Sequence, residues 1–444
     1  MASDVPALTR GEVARRAWPI IVANATVPLL GLVDTAVIGN LGGVRDLGAI
    51  ALGSLVFSFL SWSFGFLRMG TTGFVAQAAG AGDAAEVRAV LGRALLIACG
   101  LGLSLLALRG PLIALSLLLL HGSAEVEQLA GGYLDVRMFG VPASLATLCM
   151  RGTLIGLGAS RALLGLELLL NGVNLALDLL FAGWLGWGAR GVALGTTLAE
   201  WLALGVAALL VRAHLSARRV DTEPFFPWAR IRQRAKLTAL LAANADIMVR
   251  TVLLLAGFAF FTDRGARFGD ATLAANHVLL QFVAFAAFFL DGYAFVAEAL
   301  VGAALGARDR RAFDLAVRRS TELSLLSAAV LALGTWGLGP HLLALLTDLP
   351  EVSAVARAYL PYASAYVLLS GLAFQLDGVF IGATRTRDMR NASIASTGVF
   401  VLSAWALSRI AGNDGLWTAF IVFVLARAAA LGAYYPALRR AVGG

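Results

Sequence analysis

The sequence predicts an all-α polytopic membrane protein of twelve transmembrane helices in two pseudo-symmetric six-helix lobes. Three observations carry this. First, 59% of the 444 residues are hydrophobic and 49 more are glycine, while charged residues are only 14%; soluble domains carry about 25%. Second, twelve apolar runs reach the length of about 20 residues that a span needs. Third, the second half of the chain repeats the first. With a mean hydropathy of +0.82, too little polar surface remains to cover a soluble enzyme, and a disordered chain or a nucleic-acid binder is equally excluded. The net charge of +8 needs no acidic partner, because membrane proteins retain Arg in cytoplasmic loops.

The first six spans run approximately over 17–40, 48–77, 89–120, 129–157, 161–184 and 189–214. The second six run over 234–262, 271–302, 312–345, 353–382, 390–411 and 414–437. The first apolar run leads into Asp34 without a small-residue cleavage pattern, so it reads as a retained span and not a signal peptide. Several runs exceed the bilayer thickness, so tilt is expected. Between spans six and seven lies the longest polar stretch, with Arg218, Arg219, Asp221, Glu223, Pro224, Pro227, Arg230 and Arg232. It divides the chain into an N-terminal lobe (1–214), a cytoplasmic linker (215–233) and a C-terminal lobe (234–444). Arg10, Arg15, Arg16, Arg88, Arg93, the linker, Arg308–Arg319, Arg385–Arg390, Arg439 and Arg440 all fall on one side. Both termini are therefore expected in the cytoplasm of a bacterial inner-membrane protein.

At one fixed offset, FVAQAAGAGDAAEVRAVLGR (74–93) lies over LVGAALGARDRRAFDLAVRR (300–319). Gly80, Asp83 and Arg93 meet Gly306, Asp309 and Arg319 in that register, and Gly152 and Gly156 meet Gly378 and Gly382. At the start of each half the offset is slightly shorter, and VAN (22–24) sits over AAN (242–244). Six spans is an even number, so the copies enter the membrane in the same orientation, as in transporters that rock two halves against each other.

Ionisable residues at membrane depth cost about 2.5–3.5 kcal/mol on insertion scales, so each asks for a reason. Asp34 lies deep in span one, six residues after Pro28, which leaves the carbonyl of Asn24 without its helical donor. Asn171, Asn174 and Asp178 share a face of span five, and Glu167 extends that stripe. Thr196, Thr197 and Glu200 lie on span six. Span seven carries Asn244, Asp246 and Arg250, and the i,i+4 spacing of the last two predicts a local ion pair. Asp291 and Glu298 on span eight and Asp377 on span ten form a candidate second polar patch. Arg68, Arg137 and Arg151 are expected near span ends or snorkelling. Cys99 and Cys149 sit in apolar runs and read as small buried hydrophobes without a disulfide.

Lys236 is the only lysine and sits between Ala235 and Leu237, so no phosphate-binding G-x-x-x-x-G-K-[ST] loop exists. No H-E-x-x-H or G-x-S-x-G is present, and His121, His214, His277 and His341 are scattered. Neither an enzyme nor a metal site is expected, and no cofactor beyond an ion gradient.

The chain resembles the multidrug and toxic compound extrusion (MATE) family, in its DNA-damage-inducible F-like branch. The motifs carrying the resemblance are PLLGLVDTAVIGNLG (28–42), GTTGFVAQAAGAGD (70–83), LAANADIMVRT (241–251), LAANHVLLQF (273–282), LDGYAFVAEALVGAALGAR (290–308) and LDGVFIGATRTRDMR (376–390). The resemblance implies two six-helix lobes and export of organic, cationic or amphipathic compounds in exchange for protons or sodium. It also implies that Asp34, Asn174, Asp178 and Thr196 build the ion-coupling site. A family Tyr one turn before the first acid is Leu30 here, and of the acids that bind sodium in a sister branch only Asp377 is matched. Protons are therefore the favoured ion, with a sodium-coupled exporter or a lipid-linked substrate flippase as alternatives. Asn171, Glu200, Asp246, Arg250, Asp291 and Asp377 are the candidate substrate contacts. The partners expected are a small-molecule substrate and the bilayer, with no nucleic acid, and the protein is expected to be a monomer.

Overall fold

The computed structural model describes the backbone of residues 8–41, 44–119, 123–218, 222–346 and 348–442, and their side chains except those of 27–45. Asp34, Pro28 and Leu30 thus lie outside the described side chains, and His121, Arg219 and Asp221 outside the described residues.

Helices account for nearly all of it. In the first half they are α1 (Arg10–Leu41), α2 (Val44–Ser63), α3 (Phe66–Gly80), α4 (Ala84–Ala107), α5 (Arg109–Leu119), α6 (Ala124–Met138), α7 (Val141–Gly156), α8 (Ser160–Asp178) and α9 (Gly188–Ala217). A short α10 (Trp228–Ile231) marks the linker. Then follow α11 (Arg234–Ala266), α12 (Asp270–Gly306), α13 (Arg310–Leu346), α14 (Pro350–Gly382) and α15 (Thr386–Arg440).

Twelve sequence-predicted spans map onto these helices with informative breaks. The second span is α2 plus α3, and the fourth is α6 plus α7, bent by 51°. The bend has a cause: Pro142 brings no N–H, and the chain crosses it with tight bonds from Phe139 N–H to Val136 and from Gly140 N–H to Arg137. The last two spans are one continuous rod except at Ala411 (φ −123°) and Gly412 (φ +57°, ψ −131°). There Asn413 and Asn276 exchange two amide hydrogen bonds of 2.8 and 3.1 Å, and Trp417 Nε1 donates to the same Asn276 oxygen (2.9 Å). These bonds satisfy the side chains buried at the backbone turn.

The chain forms two compact units, Val22–Leu241 and Met1–Ile21 with Ala242–Gly444. The division cuts α1 before Val22 and α11 before Ala242, the two positions at which VAN and AAN align. Within the first unit, Val75, Leu91, Leu154, Leu166 and Ala207 build the core. Within the second, Phe261, Tyr366, Phe400, Trp417 and Phe420 form an aromatic cluster, with Tyr366 stacked on Phe420 at 4.4 Å.

The internal repeat is visible in atomic contacts. A Cβ on Gly152 would meet the carbonyl of Arg68, and one on Gly156 that of Thr72. A Cβ on Gly378 would meet the carbonyl of Ala294, and one on Gly382 that of Glu298. These partners stand in the same register as the glycines, Arg68 over Ala294 and Thr72 over Glu298. The packing of α3 against α7 and that of α12 against α14 are thus the same close contact made twice. The repeated Asp is a helix cap: Asp83 accepts from Glu86 N–H and Asp309 from Ala312 N–H, each at 2.9 Å. The turns repeat too, with left-handed backbone at Gly82 (+73°) and Arg308 (+54°), and at Gly158 (+71°) and Thr384 (+53°).

Arg88 and Arg93 of α4 are buried against the linker, and they donate to its carbonyls at Phe225, Arg230 and Ile231. Arg230 bridges Glu223 and Asp83, which raises its already high pKa. Cys149 is buried as expected, but Cys99 is exposed on the surface of α4, because its apolar run faces outward at that position.

Two substitutions test this packing. Gly378→Ala should lower stability by about 1–3 kcal/mol through overpacking against backbone that cannot yield. Thr384→Gly should raise it by about 1 kcal/mol, since a β-branched residue is disfavoured at positive φ. Thermal unfolding of the purified protein in detergent reads both.

Candidate functional site

Asn174 and Asp178 are fully buried on α8, one turn apart. Asn174 Nδ2 donates to Asp178 Oδ2 (3.0 Å) and to Thr196 Oγ1 on α9 (3.1 Å). The Thr196 hydroxyl donates back to the carbonyl of Val192 (3.0 Å), so its lone pairs are what it offers Asn174. Asn174 Oδ1 has no hydrogen-bond partner among the described residues. Asn171 continues the stripe and donates to Thr26 Oγ1 of α1 (2.6 Å). Four residues named from sequence, Asn171, Asn174, Asp178 and Thr196, are therefore brought together. The fifth, Asp34, lies outside the described side chains.

Asp178 is the last α-helical residue before a π-helical turn, Leu179–Trp184. Such turns widen a helix and are frequent at functional sites. The sequence carries no signal for it. The Phe181 and Trp187 rings stack behind it at 5.3 Å. Across from it, α9 presents glycines: a Cβ on Gly191 would meet the backbone of Phe181, and one on Gly195 would overlap Asp178 Oδ1. Asp46 Oδ1 accepts the N–H of Ala189 (3.0 Å) and so caps the start of α9.

Glu167 and Glu200 do not join this cluster. Glu167 pairs with Arg151 (2.8 Å). Glu200 pairs with Arg137 on α6 (3.0 Å), whose guanidinium lies 4.3 Å from the Phe57 ring centroid. Arg137 and Arg68 are buried and do not snorkel, which corrects the sequence expectation. The reason for Arg137 is a carboxylate within reach on the neighbouring helix.

In the second unit the expected Asp246–Arg250 pair does not form. Asp246 Oδ1 accepts from Arg390 (2.7 Å) and its Oδ2 from Thr386 (3.1 Å). Arg250 instead meets Asp377 Oδ2, which also receives Arg427. Side chains on α14 and α15 outcompete the i,i+4 neighbour because they meet these groups inside the protein. Arg250 also feels the charges of Asp291 and Glu298 on α12. Asp246 is thus separated from Asp377, while Arg250, Asp291 and Asp377 share one charged cluster. Arg427 was missed by sequence reasoning, although an Arg inside the apolar run WTAFIVFVLARAAALGAYY (417–435) was signal enough. Asp377 stands in the register of Arg151, so equivalent places in the two halves carry opposite charge.

The MatE family model matches residues 19–180 and 247–405. The chain belongs to the MatE family. It is a multi-pass membrane transporter and not an enzyme, with the twelve-helix fold of the family. It is 39% identical to the DNA damage-inducible protein F of Escherichia coli (strain K12) over 423 residues, 94% of this chain and 90% of that one. It is 32% identical to the probable multidrug resistance protein NorM of Deinococcus radiodurans, over 91% of this chain and 90% of that one. Among solved structures, the bent form of the Vibrio cholerae MATE transporter VcmN superposes with a TM-score of 0.85, covering 97% of both chains at 22% identity. The matched segments include the Asn174–Asp178 stripe and stop short of Thr196 and of Arg427.

Asp377 holds two buried guanidiniums, so Asp377→Asn should destabilise the protein by about 3 kcal/mol by leaving buried charge unmatched. Thermal unfolding of the variant in detergent measures this.

Proposed function

We propose that the protein is a secondary active antiporter that exports organic cationic or amphipathic compounds in exchange for protons. The observation that carries this reading is the buried carboxylate of Asp178, held by Asn174, which also binds Thr196. An amide donates to a carboxylate; rotated by half a turn, it accepts from the carboxylic acid. Asn174 can therefore satisfy Asp178 in either charge state, and its second contact, to Thr196, passes the change to α9. Protonation at Asp178 or Asp34 removes charge from the site, allows span one to bend at Pro28 and weakens the hold on a bound cation. Substrate and proton then favour different states, which is the requirement for exchange.

Two further points support protons over sodium and the export of drugs. The acid of span ten, Asp377, is already neutralised by Arg250 and Arg427, which leaves little need for a metal ion there. The relatives named above include one called a probable multidrug resistance protein. We read the protein as a monomer of the bacterial inner membrane with both termini in the cytoplasm.

Asp34→Asn mimics the protonated acid with little change of shape and should abolish export driven by an imposed pH gradient in proteoliposomes, while folding is kept. Asp178→Asn should impair export with normal expression and insertion. Wild-type rates and pH profile in both variants would sink the assignment, and a sodium gradient alone driving full export would reverse the choice of ion. A reporter fused after Gly444 should score as cytoplasmic.

A further inference from the structure

Glu200 was expected among the substrate contacts, yet it faces a helix break. The break between α6 and α7 replaces regular helical bonds with tighter ones, and side chains of α9 add donors to two carbonyls there. Thr197 Oγ1 donates to the carbonyl of Val136 (3.2 Å), and Trp201 Nε1 to that of Phe139 (3.1 Å). Between them, Glu200 pairs with Arg137 through both carboxylate oxygens, at 3.0 and 3.2 Å. A Cβ on Gly140, at the centre of the break, would overlap Glu200 Oε2. The carboxylate therefore occupies the space that the missing side chain leaves.

At about 100° per residue, Thr197, Glu200 and Trp201 share one face of α9. Gly191, Gly195 and Thr196 form the adjoining face, and it is this face that touches the π-helical turn, Asp178 and Asn174. A single rigid helix thus has one side on the hydrogen-bonded carboxylate and the other on the bent fourth span. Arg137 and Glu200 are both largely buried, with side-chain exposures of 8% and 14%. An ion pair at that depth is a poor source of stability and a good one of fixed geometry.

We propose that Glu200 and Arg137 are positioning residues of the transport cycle, linking the break in the fourth span to the face of α9 that holds Asp178. A change of charge at Asp178 reaches the break because α9 moves as one rod. The inference rests on the reading of Asp178 as a coupling residue only for its functional meaning; the mechanical link is tested without transport.

The test is hydrogen exchange of the amides of residues 137–144 in the full-length protein in detergent. Asp178→Asn should speed their exchange at least about tenfold, since exchange reports local opening. In a Glu200→Gln background the same Asp178→Asn change should alter them less than about twofold. Should the lone Arg137 unfold the Glu200→Gln protein, Arg137→Met with Glu200→Met removes both charges and serves as the background. Equal exchange in wild type and Asp178→Asn would overturn the proposal, and so would an equal response with and without Glu200. Efflux supplies the functional arm: Glu200→Gln should move the midpoint of the pH–rate profile in the same direction as Thr196→Val, which a purely structural role would not do. If Thr196→Val and Asp178→Asn both export with the wild-type pH profile while the exchange result holds, the coupling reading fails and the mechanical link stands.

Discussion

Inside a bilayer, a charged or polar group has no solvent to fall back on, and its partner must come from the protein. That constraint organises the buried polar groups of this molecule. Arg137 finds Glu200, Arg151 finds Glu167, and Arg250 and Arg427 find Asp377. The broken helices obey it as well: side chains of α9 donate to carbonyls at the bend of the fourth span, and Asn276, Asn413 and Trp417 satisfy one another beside Gly412. Each pair joins separate helices, so the polar residues do more than survive burial: they decide which helices are fastened together.

The two halves solve the same packing problem once and then diverge. Glycines in the same register of each half let α7 lie on α3 and α14 on α12, with carbonyls at matching positions beneath them. Capping aspartates and left-handed turns recur in that register. What differs is the chemistry set on that shared frame. The first half carries a hydrogen-bonded carboxylate with amide and hydroxyl neighbours. The second carries acids engaged by arginine, and the place of Arg151 is taken by Asp377. A carboxylate held by neutral donors can change its charge state with less cost than one held by two guanidiniums. The halves are therefore unequal in what surrounds their buried acids.

The class, the twelve spans, the duplication and the grouping of Asn171, Asn174 and Asp178 with Thr196 were all legible in the chain. These follow from local rules, namely run length against bilayer thickness, a fixed offset, and helical spacing that places residues three and four apart on one face, together with the family resemblance that added Thr196. The partners of the charged residues were settled only by packing. Asp246 and Arg250 have the spacing of an ion pair, yet Arg390 and Asp377 take them from other helices. Glu200 lies one turn from Thr196 but turns to α6, and the π-helical turn after Asp178 has no mark in the residues that form it. Pairing across helices depends on which faces meet and at what angle. Glycine contacts and helix breaks far apart in the chain set those faces and angles, information that no single span contains.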